Sequence, residues 1–176
     1  MKCFVSALVA ASALLLLSGC DGKPSDEGVK PLVVGMELAY PPFEMRGPDN
    51  APDGISVRMA EDLAEFLGRP LEIRDVEWNG IIPALQSGKI DAIISSMTNT
   101  PERARSIAFS DGYVTNGLCM LVRKDSPIQS IADVKPGKHK LAVQLATTGH
   151  QWARQEIPEV VLIPPHDTGA CVIDVL

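Results

Sequence analysis

The chain has 176 residues, 45% hydrophobic and 22% charged, with two Trp and two Tyr. That is globular composition, and the length fits one or two small domains. The formal charge of −6 excludes the basic footprint that nucleic-acid binding leaves on a sequence.

Residues 1–19 read as a leader to be set aside before any fold reasoning. Lys2 gives a short basic start, and Phe4 to Leu17 is largely apolar. The run is too short for a membrane span, which needs about 20 residues. It ends in Leu17-Ser18-Gly19-Cys20, which resembles a bacterial lipobox. That resemblance implies cleavage before Cys20 and lipidation of its thiol, anchoring the protein to the membrane. Asp21 follows, an acid that in Gram-negative lipoproteins implies retention at the inner membrane. Residues 20–30 are polar and carry Pro24, Gly22 and Gly28, so they read as a tether between anchor and domain. Of the remaining cysteines, Cys119 and Cys171 can pair in an oxidising compartment but read rather as two buried free thiols.

From Pro31 the elements alternate. Pro31 to Met36 is a strand whose Leu32, Val33 and Val34 are continuously apolar, as in a parallel sheet. Glu37 to Phe43 leaves its carboxyl end, with Pro41 and Pro42 forcing an extended path, and places Tyr40 beside the sheet edge. Gly47 to Gly54 reads as a turn-rich loop. Ile55 to Leu67 is a helix, with apolar residues at 55, 59, 60, 63, 64 and 67 and a Gly68 stop. Glu61 and Glu65 share one face of it and read as solvated charge. Leu71 to Glu77 is a second strand. Trp78-Asn79 leads into a helix from Gly80 to Ser87, and Trp78 fits packing and ligand contact equally well.

The stretch Lys89 to Arg103, KIDAIISSMTNTPER, carries the chemistry. Ile90, Ala92, Ile93 and Ile94 make a buried strand. Ser95, Ser96, Thr98 and Asn99 gather at its carboxyl end, where open α/β sheets bind ligands. Thr100-Pro101-Glu102 signals a helix start, so Arg103 falls in the first helical turn, where a guanidinium reaches back over the crevice to grip a carboxylate. Singly, each of these residues reads as well as a turn, cap or solvated charge. Strand–helix repeats of this kind predict right-handed crossovers and a parallel sheet.

Beyond Ile107, Gly117 to Lys124 reads as a strand and Ser130 to Val134 as one helical turn. A second α/β unit follows: a strand over Leu141 to Leu145, a small-residue turn at Ala146-Thr147-Thr148-Gly149, and a helix from His150 to Glu156. A strand from Val160 to Ile163 comes next, then a helix opening at Asp167 or Thr168. The chain stops at Leu176 without a helix-stop signal, so it is expected to be truncated. His139, His150, His166 and the two thiols show no metal-ligand spacing, and no Gly-rich phosphate loop is present, so no cofactor is expected.

Four stretches carry a resemblance: GMELAYPPFEM, WNGIIPALQSGKIDAIISSMTNTPERARSIAFSD, GLCMLVRKDSPIQSIADV and LAVQLATTGHQWA. Together they resemble the bacterial extracellular solute-binding proteins of polar amino-acid ABC importers, over about residues 31–176. The resemblance implies an α/β fold of two lobes, the periplasmic-binding-protein type II fold. Lobe one (31–116) is nearly complete and lobe two (117–176, with the hinge) is cut short. It implies a monomer outside the cytoplasm, lipid-anchored, that captures an amino acid and delivers it to an ABC permease.

Residue by residue, the resemblance places Tyr40 and Trp78 flanking the ligand side chain and Glu37 near its end. It places Ser95, Ser96 and Thr98 on the ligand's amino and carboxyl ends, Arg103 on its carboxylate, and Thr147 and Thr148 completing the carboxylate site from lobe two. One departure is Gly54-Ile55-Ser56-Val57-Arg58-Met59, where the family carries an acid. Another is the ending. The family's ammonium-binding aspartate lies further on, so a chain ending at Leu176 is expected to bind amino acids weakly or not at all.

Two other classes compete. A dehydratase acting on prephenate or arogenate shares the fold, but no nucleophile–base pair is legible. A sensor domain of a membrane kinase is disfavoured by the lipobox and the lack of a membrane span.

Overall fold

The computed structural model describes residues 28–165 and 167–173. The leader, the Cys20 lipidation site, most of the tether and His166 lie outside the described residues.

The first unit is built on β1 (Leu32–Met36), which lies between β5 (Leu71–Asp75) and β6 (Ala92–Ile93) with both pairings parallel. Leu32 stands opposite Leu71 and Met36 opposite Asp75, while Val34 and Gly35 pair with Ala92 and Ile93. The central position explains the unbroken apolar run of β1. Side chains alternate across a strand, so Leu32, Val34 and Met36 pack against Val57, Ala60 and Ala64 of α1 (Ile55–Leu67). Val33 faces the opposite layer, with Ile81, Ala84 and Ile90 around α2 (Trp78–Gln86). Ile81 and Val34 are fully buried, each contributing about 1.5–3 kcal/mol by leaving water.

Helix α1 has the predicted bounds, and Gly68 closes it in the left-handed region at φ 62°. Its buried face differs from the periodic reading. Ser56, Val57, Ala60 and Ala64 turn inward, while Ile55 and Leu67 are exposed. The inward polar residue answers a buried carboxylate, Glu44, described below. Glu61 and Glu65 are exposed, as expected of a solvated face.

The passage from Glu37 to Gly54 corrects the expectation of an extended path and loop. It forms a small antiparallel sheet of β2 (Ala39–Tyr40), β3 (Glu44–Arg46) and β4 (Pro52–Asp53). Tyr40 pairs with Glu44 and Met45 with Asp53. Pro41 and Pro42 sit in the β2–β3 turn, where a missing N–H costs no ladder bond, and Pro52 lies on an edge strand. Gly54 precedes α1 at φ 117°, and a side chain there would run into the Phe43 carbonyl.

Strand β6 is shorter than predicted, and α3 (Pro101–Ala104) is a single turn. Residues 117–124 are not a strand: they form no ladder with any other described segment. Leu118 and Leu121 are exposed there. Ser130 opens a 3₁₀ turn (Ile131–Asp133) with reciprocal Ser130 and Asp133 caps.

In the second unit, β7 (Lys140–Ala142) and β8 (Val161–Ile163) pair in parallel, with α4 (Thr148–Glu156) crossing between them and α5 (Thr168–Ile173) following. Neither thiol is fully buried, against expectation: Cys119 is exposed and Cys171 half-buried.

Candidate functional site

The carboxyl end of β1 meets the carboxyl end of β6 at Glu37 and Ser95. The Glu37 N–H donates to the Ser95 hydroxyl at 2.9 Å, and Ser95 is buried. The Glu37 carboxylate accepts from the Trp78 backbone N–H at 3.1 Å. It thereby caps α2 from a distance, since Glu77 at the N-cap position makes no side-chain cap of its own. Across the seam between the units, Gln144 Nε2 donates to both Glu37 oxygens, at 2.8 and 3.0 Å. The Gln144 side-chain Oε1 accepts from the Thr168 hydroxyl at 3.0 Å, which fixes the amide with its NH₂ toward Glu37.

Arg103 lies where the helix-start reading placed it. Thr100 caps α3 by accepting from the Arg103 N–H at 3.2 Å, with Pro101 in the first turn. The Arg103 side chain folds back and is buried. Its Nη1 donates to the Thr98 carbonyl at 3.0 Å and its Nη2 to the Ala146 carbonyl at 2.9 Å. These bonds use two of the five guanidinium donors. The Trp78 ring lies beneath, with the guanidinium carbon 5.2 Å from its centroid, an attractive cation–π contact. The indole N–H also donates to the Ala146 carbonyl, at 3.1 Å. Burial pushes the Arg103 pKa down, and the neighbouring Glu102 charge offsets part of that.

In the second unit, Thr147 is the N-cap of α4. Its hydroxyl accepts from the His150 N–H at 3.2 Å and donates to the Gln144 carbonyl at 2.7 Å. Thr148 is the first helical residue. Arg103 reaches this turn through the Ala146 carbonyl, with Ala146 held at φ 60°. An open hollow of about 670 Å³ flanks the seam, lined by Asn79, Glu102, Ala146, His150, Gln151 and Arg154 among others. Gln151 also donates across it to Glu102 at 3.1 Å.

The structure therefore gathers Glu37, Trp78, Ser95, Thr98, Arg103 and Thr147 around one seam. Tyr40 stands on β2, stacked on Phe43 with ring centroids 6.1 Å apart. Thr98 is exposed and serves Arg103 through its carbonyl. The Ser96 hydroxyl is turned to Glu44, at 3.0 Å. Three participants were missed: Gln144, the Ala146 carbonyl and Glu44. Gln144 had a legible signal, a polar residue closing the apolar run LAV, as Ser95 closes IDAII. Glu44 is buried and also accepts from the Ser56 hydroxyl at 2.5 Å. Burial raises its pKa, the serine bonds oppose that, and the Glu37 charge adds to it.

The sequence model of the bacterial extracellular solute-binding proteins, family 3, matches residues 32–161. This chain belongs to that family. The arginine-binding extracellular protein ArtP of Bacillus subtilis (strain 168) is 37% identical over 161 residues, covering 90% of this chain and 62% of that protein. The L-cystine-binding protein TcyJ of Escherichia coli (strain K12) is 34% identical over 164 residues, covering 88% of this chain and 61% of that protein. Among solved structures, the ancestral amino acid-binding protein AncCDT-1, described as a precursor of cyclohexadienyl dehydratase, superposes with a TM-score of 0.79 at 37% identity. It covers 82% of this chain and 65% of that one. The chain thus spans somewhat less than two thirds of these relatives' length. Over that span the fold is the two-lobed α/β arrangement that the family resemblance implied.

Proposed function

We propose that this chain is the substrate-binding component of an ABC importer, capturing an amino acid at the seam between its two α/β units. The observation that carries the reading is Arg103: a buried guanidinium at a strand's carboxyl end, backed by Trp78 and facing the capped start of α4. A buried cation in that position suits a carboxylate, which offers charge-assisted, bidentate acceptance. The N–H groups at the start of α4 add donors on the other side. Ser95, Ser96 and Thr98 line the strand end that would hold the α-amino and α-carboxyl groups. Trp78 and Tyr40 offer apolar faces to the ligand side chain. Glu37 gives that side chain an anionic partner and favours a cation.

In this reading residues 31–116 form lobe one and 117–176 the hinge and lobe two. The protein is exported by its leader, lipidated at Cys20, monomeric, and docks on a membrane permease from outside the cytoplasm. It is a binding protein without catalytic activity.

Calorimetric titration with L-arginine, L-lysine, L-glutamine and L-cystine, carried into the millimolar range, tests the proposal. Saturable binding is expected, with the cationic amino acids ahead of L-glutamine and that order lost in Glu37→Gln. Absence of saturable binding for all four overturns it. The likeness to a dehydratase precursor supports one second reading, a dehydratase. Incubation with prephenate separates the two, since only an enzyme yields phenylpyruvate.

A further inference from the structure

Glu44 is among the most deeply buried ionisable groups of the described residues, 1% exposed, and the binding reading above gives it no part. It lies on β3, yet its bonds run to two other elements. Oε2 accepts from the Ser56 hydroxyl in the first turn of α1 at 2.5 Å and from the Ser96 hydroxyl beyond β6 at 3.0 Å. Ser96 is not a free participant. Its backbone stands at φ 50°, in the left-handed region that a residue with a Cβ adopts only at a cost. A conformation of that kind persists where its surroundings hold it. The side-chain bond that holds Ser96 is the one to Glu44. Ser95, next to it, is tied to the Glu37 backbone and also reaches the Glu44 carboxylate.

We propose that Glu44 is a positioning residue for the amino-acid site: its carboxylate locks Ser96 in the left-handed turn and so aims the Ser95–Thr98 backbone at the ligand. This rests on the binding reading given above. Ser56 fits the same device: serine supplies an O–H donor to the same oxygen, where an acid would face Glu44 with a second carboxyl. Since both hydroxyls reach one oxygen, a glutamine can keep both bonds through its amide carbonyl while losing the charge. Positioning is thereby separable from electrostatics.

The test compares the full chain with Glu44→Ala, Glu44→Gln and Ser96→Ala. It uses amide hydrogen exchange at residues 94–98 without ligand and calorimetric affinity for L-arginine. The expected result is faster exchange at 94–98 in Glu44→Ala and Ser96→Ala, with affinity about tenfold weaker, the scale of one lost buried hydrogen bond. Glu44→Gln should retain both protection and affinity within a few-fold. Protection at 94–98 unchanged in Ser96→Ala, or lost equally in Glu44→Gln and Glu44→Ala, overturns the proposal. Should Glu44→Ala fail to fold, Ser96→Ala and Glu44→Gln still decide it. If the wild-type chain binds no amino acid, the binding reading falls, while the exchange data still judge whether Glu44 locks the turn.

Discussion

The two turns that meet at the seam are built alike and contribute opposite things. Each follows a parallel strand, carries a non-glycine residue at positive φ (Ser96 at 50°, Ala146 at 60°), and ends in a threonine cap. Thr100 and Thr147 each accept from the N–H three residues on, both at 3.2 Å. The first turn presents a cation, Arg103. The second presents a carbonyl, Ala146, and an amide, Gln144. The same local device thus yields a donor side and an acceptor side, and the choice lies in one helical residue and one carbonyl. The units behind the turns differ as well. Among the described residues, ten of the buried apolar ones belong to the first unit, and Val134, Ala153 and Val160 to the second. The donor side therefore sits on the firmer support.

The largest expected effect breaks the donor side. Arg103→Ala should cost about 2–5 kcal/mol of binding free energy, since a desolvated ligand carboxylate would lose its charged partner. In calorimetry this removes saturable binding of L-arginine in the millimolar range, and an unchanged isotherm would refute the assignment.

A smaller effect sharpens the likeness between the caps. Thr147→Ala loses two hydrogen bonds, to the His150 N–H and to the Gln144 carbonyl, whereas Thr100→Ala loses the bond to the Arg103 N–H. Cap removal typically costs about 0.5–2 kcal/mol. Urea unfolding should place Thr147→Ala at the upper end and Thr100→Ala at the lower. The reverse order would show that the turns are not equivalent devices.

The smallest effect concerns pH. Burial holds the folded-state pKa of Glu44 above its ordinary value of 4.5, so the folded chain binds more protons there than the unfolded one. Stability from this group therefore rises as pH falls from neutral toward 4.5. Glu37 and Tyr113 face Glu44, and the Glu37 charge works in the same direction. Asp91 and Asp133, held low by hydrogen bonds, work the opposite way. The informative quantity is thus the difference in melting temperature between wild type and Glu44→Gln. It should move in favour of the wild type on acidification, and a pH-independent difference would contradict a raised pKa.

What the sequence revealed follows from range. Thr100-Pro101 and Gly68 act on their own neighbours, so cap chemistry placed both ends correctly. The β1 run was legible because a central parallel strand is apolar on both faces. The β2–β4 sheet was not, because strands of two or three residues carry no period and the prolines there sit in turns and edges. Glu44 was passed over because it falls between the predicted elements, where an acid carries no sign of burial. Its burial depends on Ser56 and Ser96, 12 and 52 residues away. The Ala146 carbonyl carries no side-chain signature at all, since its direction is set by the backbone torsions.

That carbonyl has a thermodynamic consequence. Arg103 and Trp78 both donate to Ala146, so the seam is bridged by the protein's own backbone at the place where a ligand carboxylate would enter. A ligand that takes the Nη2 donor now on Ala146 exchanges one oxygen for another. Its measured affinity is then an exchange free energy, smaller than the contact itself by what the self-bridged state holds. Weak affinity in this chain would report the strength of its internal competitor as much as the quality of the ligand.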